Sequence, residues 1–420
     1  QLGQDTDGEA GYDKSGCSVF LSSDGNTVAI GAVENDGNGP YSGHVRVYTY
    51  NGSSWIQLGQ DIDGEASADE SGRSVSLSAD GNFVAIGGPN NESASPGGAQ
   101  TGEGHVRVFN WDGFSWNQVG QDIIDQTNAS AYDYFGSSVS ISNNGNIVAI
   151  GAPTADFING GNNNAGNVFV YEYNGVNWNL KGNIIEGENG FDESGCSISL
   201  SGNGNILAIG AKNNDGNGTN SGHVRVFEWD GSTYTQIGQD IDGEAANDLS
   251  GYAVSLSNDG NTIAIGADFN DGTLGNNSGH VRIFSWDGIS WNQVGQDIDG
   301  EASADHSGHS VSINNNGTIV AIGAISNDGN GSESGHVRIY SWDGVIWNRL
   351  GDDINGEAAG DNSGWSVSLS SDGEKVAIGA YMNSGNGTNS GHKNGPPRLQ
   401  PRAGLKPRKP TPKLSWKTSL

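Results

Sequence analysis

Aspartate recurs at one fixed place in this chain, three residues before a glycine that begins a strand-like segment. The copies are Asp13, Asp69, Asp133, Asp192, Asp248, Asp305 and Asp361. A second set, Asp36, Asp215, Asp271 and Asp328, lies in Asn-Asp-Gly stretches. Carboxylate and amide oxygens on glycine-rich loops are ligands that Ca²⁺ takes. The sequence thus offers candidate calcium ligands at Asp13, Asp36, Asp69, Asp192, Asp215, Asp248, Asp271, Asp305 and Asp328. The alternative is that each carboxylate caps a turn.

The position directly after the same glycine varies while its neighbours do not. It holds Cys17, Arg73, Ser137, Cys196, Tyr252, His309 and Trp365. A repeat that needed this position only for packing would have little reason to vary it so widely. Large polar and aromatic side chains in one ring can hold a glycan or a peptide. We therefore predict ligand binding by Arg73, Tyr252, His309 and Trp365, against the alternative of neutral drift at an exposed position.

Histidine repeats at a third place, after a glycine and before an alternating Val-Arg-Val segment. The copies are His44, His105, His223, His280, His336 and His392, and Asn167 takes the place of one copy. Such repetition predicts a structural hydrogen bond, for example to the repeated aspartate, rather than six equal active sites. His306 and His309 occur in one copy only, and with Asp305 they form a candidate transition-metal group.

These residues are positioned by an internal repeat. The segment typified by QDIDGEA begins at Gln4, Gln60, Gln121, Asn183, Gln239, Gln296 and Asp352, with spacings of 56 to 62 residues. Each unit contains alternating and short apolar runs, which predict strands, separated by Asn-Gly or Asp-Gly pairs that suit two-residue hairpins. Units that bury their apolar faces only against neighbours form solenoids, propellers or arrays.

The pattern of four strands per unit predicts an all-β fold, a seven-bladed β-propeller of four-stranded antiparallel blades. Residues 1–392 would form the seven-repeat propeller. Residues Gln1–Asp5 read as the end of a fourth strand and would close the ring on the seventh blade. Residues 393–420 hold eight Lys and Arg, no Asp or Glu and six of the ten prolines, which predicts a disordered basic tail.

The composition excludes some functions and leaves others open. A formal net charge of −30 opposes nucleic-acid binding by most of the chain. No apolar run is long enough for a membrane-spanning helix, and no secretion signal is visible. We find no nucleophile elbow, phosphate loop or zinc helix. Cys17 and Cys196 occupy the same column three repeats apart, too far for a disulfide, so two free thiols are expected.

Phe135-Gly136 and Gly151-Ala152-Pro153 in the third unit resemble the Phe-Gly and Gly-Ala-Pro marks of FG-GAP repeats. The other units keep these marks in weaker form, with Ser usually in place of Phe and with Pro recurring only at Pro89, and the resemblance extends to about His392. It implies a seven-bladed propeller of the kind found in integrin α-chains, with an extracellular role in adhesion and ligand binding. The family's calcium loop lies between the first and second strands, where this chain has a short hairpin instead. Our candidate calcium ligands lie in the other loops.

The sequence therefore favours a non-catalytic extracellular or cell-surface adhesion module that binds a protein or glycan through its loop-rich face, with Ca²⁺ as a candidate cofactor. A structural subunit that self-associates into a filament or matrix is one alternative. A propeller glycosidase or lyase is another, although carboxylates repeated in every unit are a weak signal for one differentiated acid–base pair.

Overall fold

A computed structural model describes residues 1–91, 102–125, 132–158, 164–272 and 275–394. The described residues form β-strands β1 to β33, numbered along the chain, and no α-helix. The predicted tail, 393–420, lies outside the described residues except for the backbone of Lys393 and Asn394, which continues the last strand.

Each repeat contributes strands in a fixed order, and a short strand follows. The short strands are β1 (Thr6–Asp7), β6 (Ile62–Asp63), β15 (Ile185–Glu186), β20 (Ile241–Asp242), β25 (Ile298–Asp299) and β30 (Ile354–Asn355). The first strands are β2 (Ser15–Leu21), β7 (Ser74–Leu77), β11 (Ser138–Ile141), β16 (Ser197–Leu200), β21 (Ala253–Leu256), β26 (Ser307–Ile313) and β31 (Ser366–Leu369). The second strands are β3 (Thr27–Ala32), β8 (Phe83–Gly88), β12 (Ile147–Ala152), β17 (Ile206–Ala211), β22 (Thr262–Ala267), β27 (Ile319–Ala324) and β32 (Val376–Ala380). The third strands are β4 (His44–Tyr50), β9 (His105–Trp111), β13 (Asn167–Tyr173), β18 (His223–Trp229), β23 (His280–Trp286), β28 (His336–Trp342) and β33 (His392–Asn394). The fourth strands are β5 (Trp55–Gln57), β10 (Trp116–Gln118), β14 (Trp178–Leu180), β19 (Tyr234–Gln236), β24 (Trp291–Gln293) and β29 (Trp347–Arg349).

The protein is an all-β propeller, but the prediction of seven four-stranded blades is wrong. Six sheets are complete blades in which the first, second, third and fourth strands pair in order. The remaining sheet has the order β1-β33-β32-β31 and lacks a fourth strand within the described residues. The reason is visible in the seventh repeat, where the Val-Arg-Val pattern that should follow His392 is replaced by Lys-Asn-Gly-Pro-Pro. Its third strand is correspondingly short.

The two ends of the described chain meet in this partial sheet. Strand β1 pairs antiparallel with β33, with Thr6 opposite Lys393 and Asp7 opposite His392. The pairing residues are therefore Thr6 and Asp7, whereas the sequence predicted Gln1–Asp5. Gln4 instead donates from Nε2 to the carbonyl oxygen of Trp55, 3.2 Å away.

The core lies between neighbouring sheets. One cluster joins Val106 and Val108 of β9 to Val148 and Ile150 of β12, and the other clusters follow the same plan. Tryptophans of the fourth strands add a directional link, as when Trp116 donates from Nε1 to the carbonyl oxygen of Leu58, 2.7 Å away in the preceding repeat. Aliphatic strands and tryptophans hold the blades together.

The first strands surround a central channel whose two ends differ. At the hairpin end, backbone N–H groups donate to carbonyl oxygens of the next repeat in a closed ring. The ring passes through Ser23, Ala79, Asn143, Gly202, Asn258, Asn315 and Ser371 and returns to Ser23, with N···O distances of 2.8–3.1 Å. The side chains of Asn143 and Asn258 bond across this end at 2.7 Å, over Gly202, where a Cβ would clash with both. The open end is therefore the one where the first strands begin.

Candidate functional site

The open end of the channel is a mouth lined by the variable column. A cavity of about 240 Å³ is bordered by Cys17, Arg73, Ser137, Cys196, Tyr252, His309 and Trp365. All seven converge because each follows the glycine at the start of a first strand, and the first strands are innermost. Deeper in, valine and isoleucine side chains such as Val75 and Ile198 line the wall. The mouth is therefore polar and aromatic at its rim and apolar at its base.

Aromatic rings form a continuous arc along one side of the mouth. The ring centroids of Tyr252 and His309 lie 4.9 Å apart, those of His309 and Trp365 lie 4.6 Å apart, and those of Trp365 and Tyr381 lie 4.1 Å apart. The planes are tilted by 40–48°. Burial raises the pKa of the Tyr252 hydroxyl, so it stays a neutral donor. The arc offers apolar ring faces beside polar tips.

Sequence reasoning missed a second variable position, directly after the last residue of each second strand. It holds Lys212, Asp268 and Tyr381 beside the arc, and Val33, Pro89, Pro153 and Ile325 in the other repeats. The ammonium of Lys212 lies 5.6 Å from the centre of the Tyr252 ring. This column varies as the first one does, so the same test would have found it.

Asp268 holds the imidazole of His309 in place. The Nδ1 atom of His309 lies 3.2 Å from Oδ2 of Asp268, and both side chains are buried. A carboxylate oxygen at this distance accepts a hydrogen bond from Nδ1–H of His309, and in that tautomer of the neutral ring Nε2 is an acceptor at the channel wall. The predicted group of Asp305, His306 and His309 is not a three-ligand cluster within the described residues. Asp305 instead accepts hydrogen bonds from Ala302 N and Asn327 Nδ2.

The two cysteines of the column are free thiols, as predicted. The Sγ atom of Cys17 lies 3.4 Å from the carbonyl oxygen of Gly31, and that of Cys196 lies 3.4 Å from that of Gly210. Burial raises the pKa of both thiols. Because the thiolate is the reactive form, neither sulfur is activated as a nucleophile.

The repeated aspartates are buried and bind the backbone of their own loops. Asp69 Oδ2 accepts from Glu65 N at 2.9 Å and from Ala66 N at 2.8 Å. Equivalent bonds to loop N–H groups are made by Asp13, Asp192, Asp248, Asp305 and Asp361. These carboxylates stabilise turns in which the flanking residues take positive φ, 67° at Ala68 and 51° at Glu70. Calcium binding by these residues stays a prediction.

The second aspartate set is exposed on the loops between second and third strands. Asp36 Oδ1 accepts from Tyr41 N at 2.9 Å, and Asp215, Asp271 and Asp328 make the corresponding bond. The neighbouring Asn35 Oδ1 accepts from Gly37 N. These aspartates shape their own loops and also face solvent on the mouth side of the propeller.

The repeated histidines lie beside carboxylates of the inter-blade connections. Five groups share one arrangement, each with a glutamate, a histidine and an aspartate whose ligand atoms lie within 4.8 Å of one another: Glu9, His44, Asp61; Glu65, His105, Asp122; Glu188, His223, Asp240; Glu244, His280, Asp297; and Glu301, His336, Asp353. Nδ1 of His105 is 3.6 Å from Glu65 Oε2, and neither ring nitrogen makes a hydrogen bond with a described residue, so the predicted structural hydrogen bond is absent at His105. Burial, with the Arg107 charge, lowers the pKa of His105 to about 4.

An arginine in each of these groups opposes a bound cation. Arg107 Nη1 lies 3.9 Å from Glu65 Oε1, and Arg46, Arg225, Arg282 and Arg338 lie against the corresponding glutamates. In the third repeat Phe169, Asn167 and Ile184 stand where the others have Arg, His and Asp. There Phe135 packs on Phe169 at 5.2 Å, and Ile184 joins the same core. An apolar cluster replaces the polar one, which indicates a structural role.

Comparison with known families supports the repeat assignment. The family model for the FG-GAP repeat matches residues 116–171 and 355–392. No curated protein matches the chain. Within the described residues, no helix has the length and apolar character needed to cross a membrane.

Proposed function

Starting from its identity as an FG-GAP repeat β-propeller, we propose that the protein is a non-catalytic binding module that holds a protein or glycan ligand at the channel mouth. We further propose an adhesion role outside the cell or at its surface, because FG-GAP propellers are generally found in extracellular domains. One observation carries the proposal. The residues that differ most from repeat to repeat converge on one cavity, while the repeated residues serve the framework.

The chemistry of the mouth suits binding rather than turnover. A concave site with aromatic walls and a few polar groups matches the usual form of a ligand pocket. Asp268 orients His309, but Cys17 is buried and Cys196 half-buried, and the raised pKa of both thiols leaves neither activated. The cavity at the mouth is more open than the one at the hairpin end of the channel, so a ligand would enter from the mouth.

Trp365→Ala tests the site. We expect this variant to bind its glycan or peptide ligand about tenfold or more weakly, since aromatic side chains at the centre of an interface contribute most to affinity. Binding would be found by screening immobilised glycans and peptides and measured by titration of tryptophan fluorescence. Phe114→Ala, which removes an exposed aromatic ring from the opposite face, is the matched control.

Two results would contradict the proposal. Unchanged affinity in both Trp365→Ala and Tyr252→Ala, with both variants folded by thermal unfolding, would place the ligand elsewhere. Chromatographic detection of a shortened ligand after incubation would favour the glycosidase or lyase instead.

Self-association is a second candidate function that a separate observation favours. The hairpins between third and fourth strands present apolar side chains to solvent: Phe114 is 90% exposed, Ile289 83%, Val345 74% and Val176 70%. The equivalent positions in two other repeats hold Ser53 and Ser232. Exposed apolar side chains on one face of an acidic protein are typical of an interaction surface.

A further inference from the structure

Arg73 is set apart among the cationic side chains of the propeller. Residues 1–392 contain only eleven Lys and Arg, and five of these arginines lie against glutamates of the inter-blade connections. At the mouth, Lys14 pairs with Glu34 at 2.6 Å and Lys212 with Glu193 at 2.9 Å. The guanidinium of Arg73 is exposed and makes no hydrogen bond or ion pair with any described residue. It is an available donor for an anion.

Arg73 and the aromatic arc face the same cavity from different repeats. Arg73 directly precedes β7 in the second repeat, whereas Tyr252, His309 and Trp365 occupy the equivalent position in the fifth to seventh repeats. All four line one cavity. Burial raises the pKa of Tyr252 and of Tyr381, and the Arg73 charge acts against this at both rings. Because Arg73 and the arc residues Tyr252, His309 and Trp365 line one cavity of about 240 Å³, one ligand in that cavity can contact both.

We propose that the mouth binds a carboxylate-bearing sugar, a uronic acid residue of an acidic glycan; this inference rests on the proposed function. The sugar ring stacks its C–H face on the aromatic arc, and Arg73 takes the carboxylate through paired N–H···O bonds. Planar guanidinium groups match carboxylates in this two-bonded geometry.

The polar groups of the mouth favour a sugar over an acidic peptide. A sugar ring presents several hydroxyl groups that both donate and accept. Nε2 of His309 is an acceptor because Nδ1 faces Asp268, whereas an acidic side chain of a peptide has only acceptors to offer. The Tyr252 hydroxyl supplies a donor nearby. The Ser137 hydroxyl donates to the carbonyl oxygen of Tyr134, 2.8 Å away, and is left as an acceptor.

Calorimetric titration of the full chain in EDTA tests the inference, with tetragalacturonic acid and its methyl ester as probes. The two differ in charge but not in ring structure. We expect the acid to bind roughly tenfold more tightly than the ester, as charge-assisted hydrogen bonds allow. Arg73→Gln should remove that difference. Arg349→Gln, which removes an arginine from an outer strand, should keep it.

The outcomes separate this inference from the proposed function. Equal affinity for acid and ester, unchanged preference in Arg73→Gln, or no binding of either tetramer would overturn the uronic acid inference. If Trp365→Ala weakens binding of both tetramers while Arg73→Gln leaves both affinities unchanged, the mouth binds glycans but Arg73 does not recognise their carboxylates. The uronic acid inference would then be wrong and the proposed function would stand. If hexaglutamate binds through Arg73 and the tetramers do not, the occupant is an acidic peptide and the sugar inference is wrong.

Discussion

Single residues in this propeller divide into those that repeat and those that vary, and the two groups do different work. Asp69 is buried and satisfies two N–H groups of its loop. Arg73, four residues later, is exposed at the mouth, and its guanidinium pairs with none of the described residues. The repeated residue stabilises a connection that every blade needs. The variable residue contributes a side chain that occurs only once around the cavity.

Asp69→Ala separates turn capping from calcium binding. Removal of the carboxylate leaves Glu65 N and Ala66 N without their acceptor, which should lower the free energy of unfolding by about 1–3 kcal/mol. We expect Ca²⁺ to change the unfolding midpoint of the variant and the unmodified chain by the same amount. Thermal unfolding in EDTA and in millimolar Ca²⁺, with Mg²⁺ as control, measures this. A calcium-dependent rise that the variant loses would instead make Asp69 a calcium ligand.

The sequence predicts which single residues line the candidate site, but it does not predict which side chains contact each other there. Variation in one column located Arg73, Tyr252, His309 and Trp365, and the structure brings them to one cavity. The contact of His309 with Asp268 joins different repeats, 41 residues apart. That contact depends on how neighbouring blades are placed relative to each other, which the sequence of a single repeat does not show.

Individual blades are joined by the groups of glutamate, histidine, aspartate and arginine. Each group connects the loop before a blade to its third strand and to the end of its fourth strand, as Glu65, His105 and Asp122 do. The histidine is neutral at pH 7 because burial lowers its pKa. The third repeat achieves the same connection with Phe135 and Phe169. The connection between blades can thus be polar or apolar, provided that the arginine, histidine and aspartate positions all change together.

These groups should make the propeller sensitive to acid. Burial lowers the pKa of His44, His105, His223 and His280 to about 4, whereas an unfolded histidine titrates near 6.5. The unfolded chain therefore binds more protons below pH 6.5, and stability falls as the pH drops from there towards 4. At pH 5 each histidine should cost about 2 kcal/mol relative to pH 8, partly offset by Glu65, whose pKa burial raises.

The third repeat has Asn167 at the position equivalent to His105. His105→Asn should therefore reduce the pH dependence of the free energy of unfolding by about the contribution of one histidine. Urea unfolding at pH 8, 6 and 5 measures it. The loss at pH 8, where the imidazole is neutral in both states, gives the packing cost alone. An unchanged slope between pH 6.5 and 5 would show that His105 does not titrate as described.

The whole molecule closes less regularly than its repeat predicts. Turn pairs such as Asp24-Gly25 and the alternation of each strand predicted the all-β propeller and the strand order, because both are local signals. The number of complete blades was wrong because completion of the last sheet depends on strand β1 and on the residues after His392, which leave the repeat pattern. Non-local pairing at the chain ends is not encoded in the repeat.

The apolar hairpins predict how whole molecules associate. They lie on the face opposite the mouth, since third strands begin at the mouth and end at these turns. A net charge of −30 repels a second copy at low salt, so association should strengthen as salt screens the charge. Replacement of both Phe114 and Ile289 by Ser, the residue of the equivalent turns at Ser53 and Ser232, should weaken it about tenfold or more.

Sedimentation equilibrium at 0.05 M and 0.5 M salt measures this association. Tyr12→Ser is the matched control, because Tyr12 is 60% exposed but lies in a loop at the mouth face. Dimers or larger species that form in the unmodified chain and in Tyr12→Ser, but not in the double variant, would place the contact on the hairpin face. A monomer at every salt concentration would remove the filament alternative and leave the mouth as the functional surface. Association that Tyr12→Ser abolishes would instead place the contact at the mouth, where it would compete with ligand.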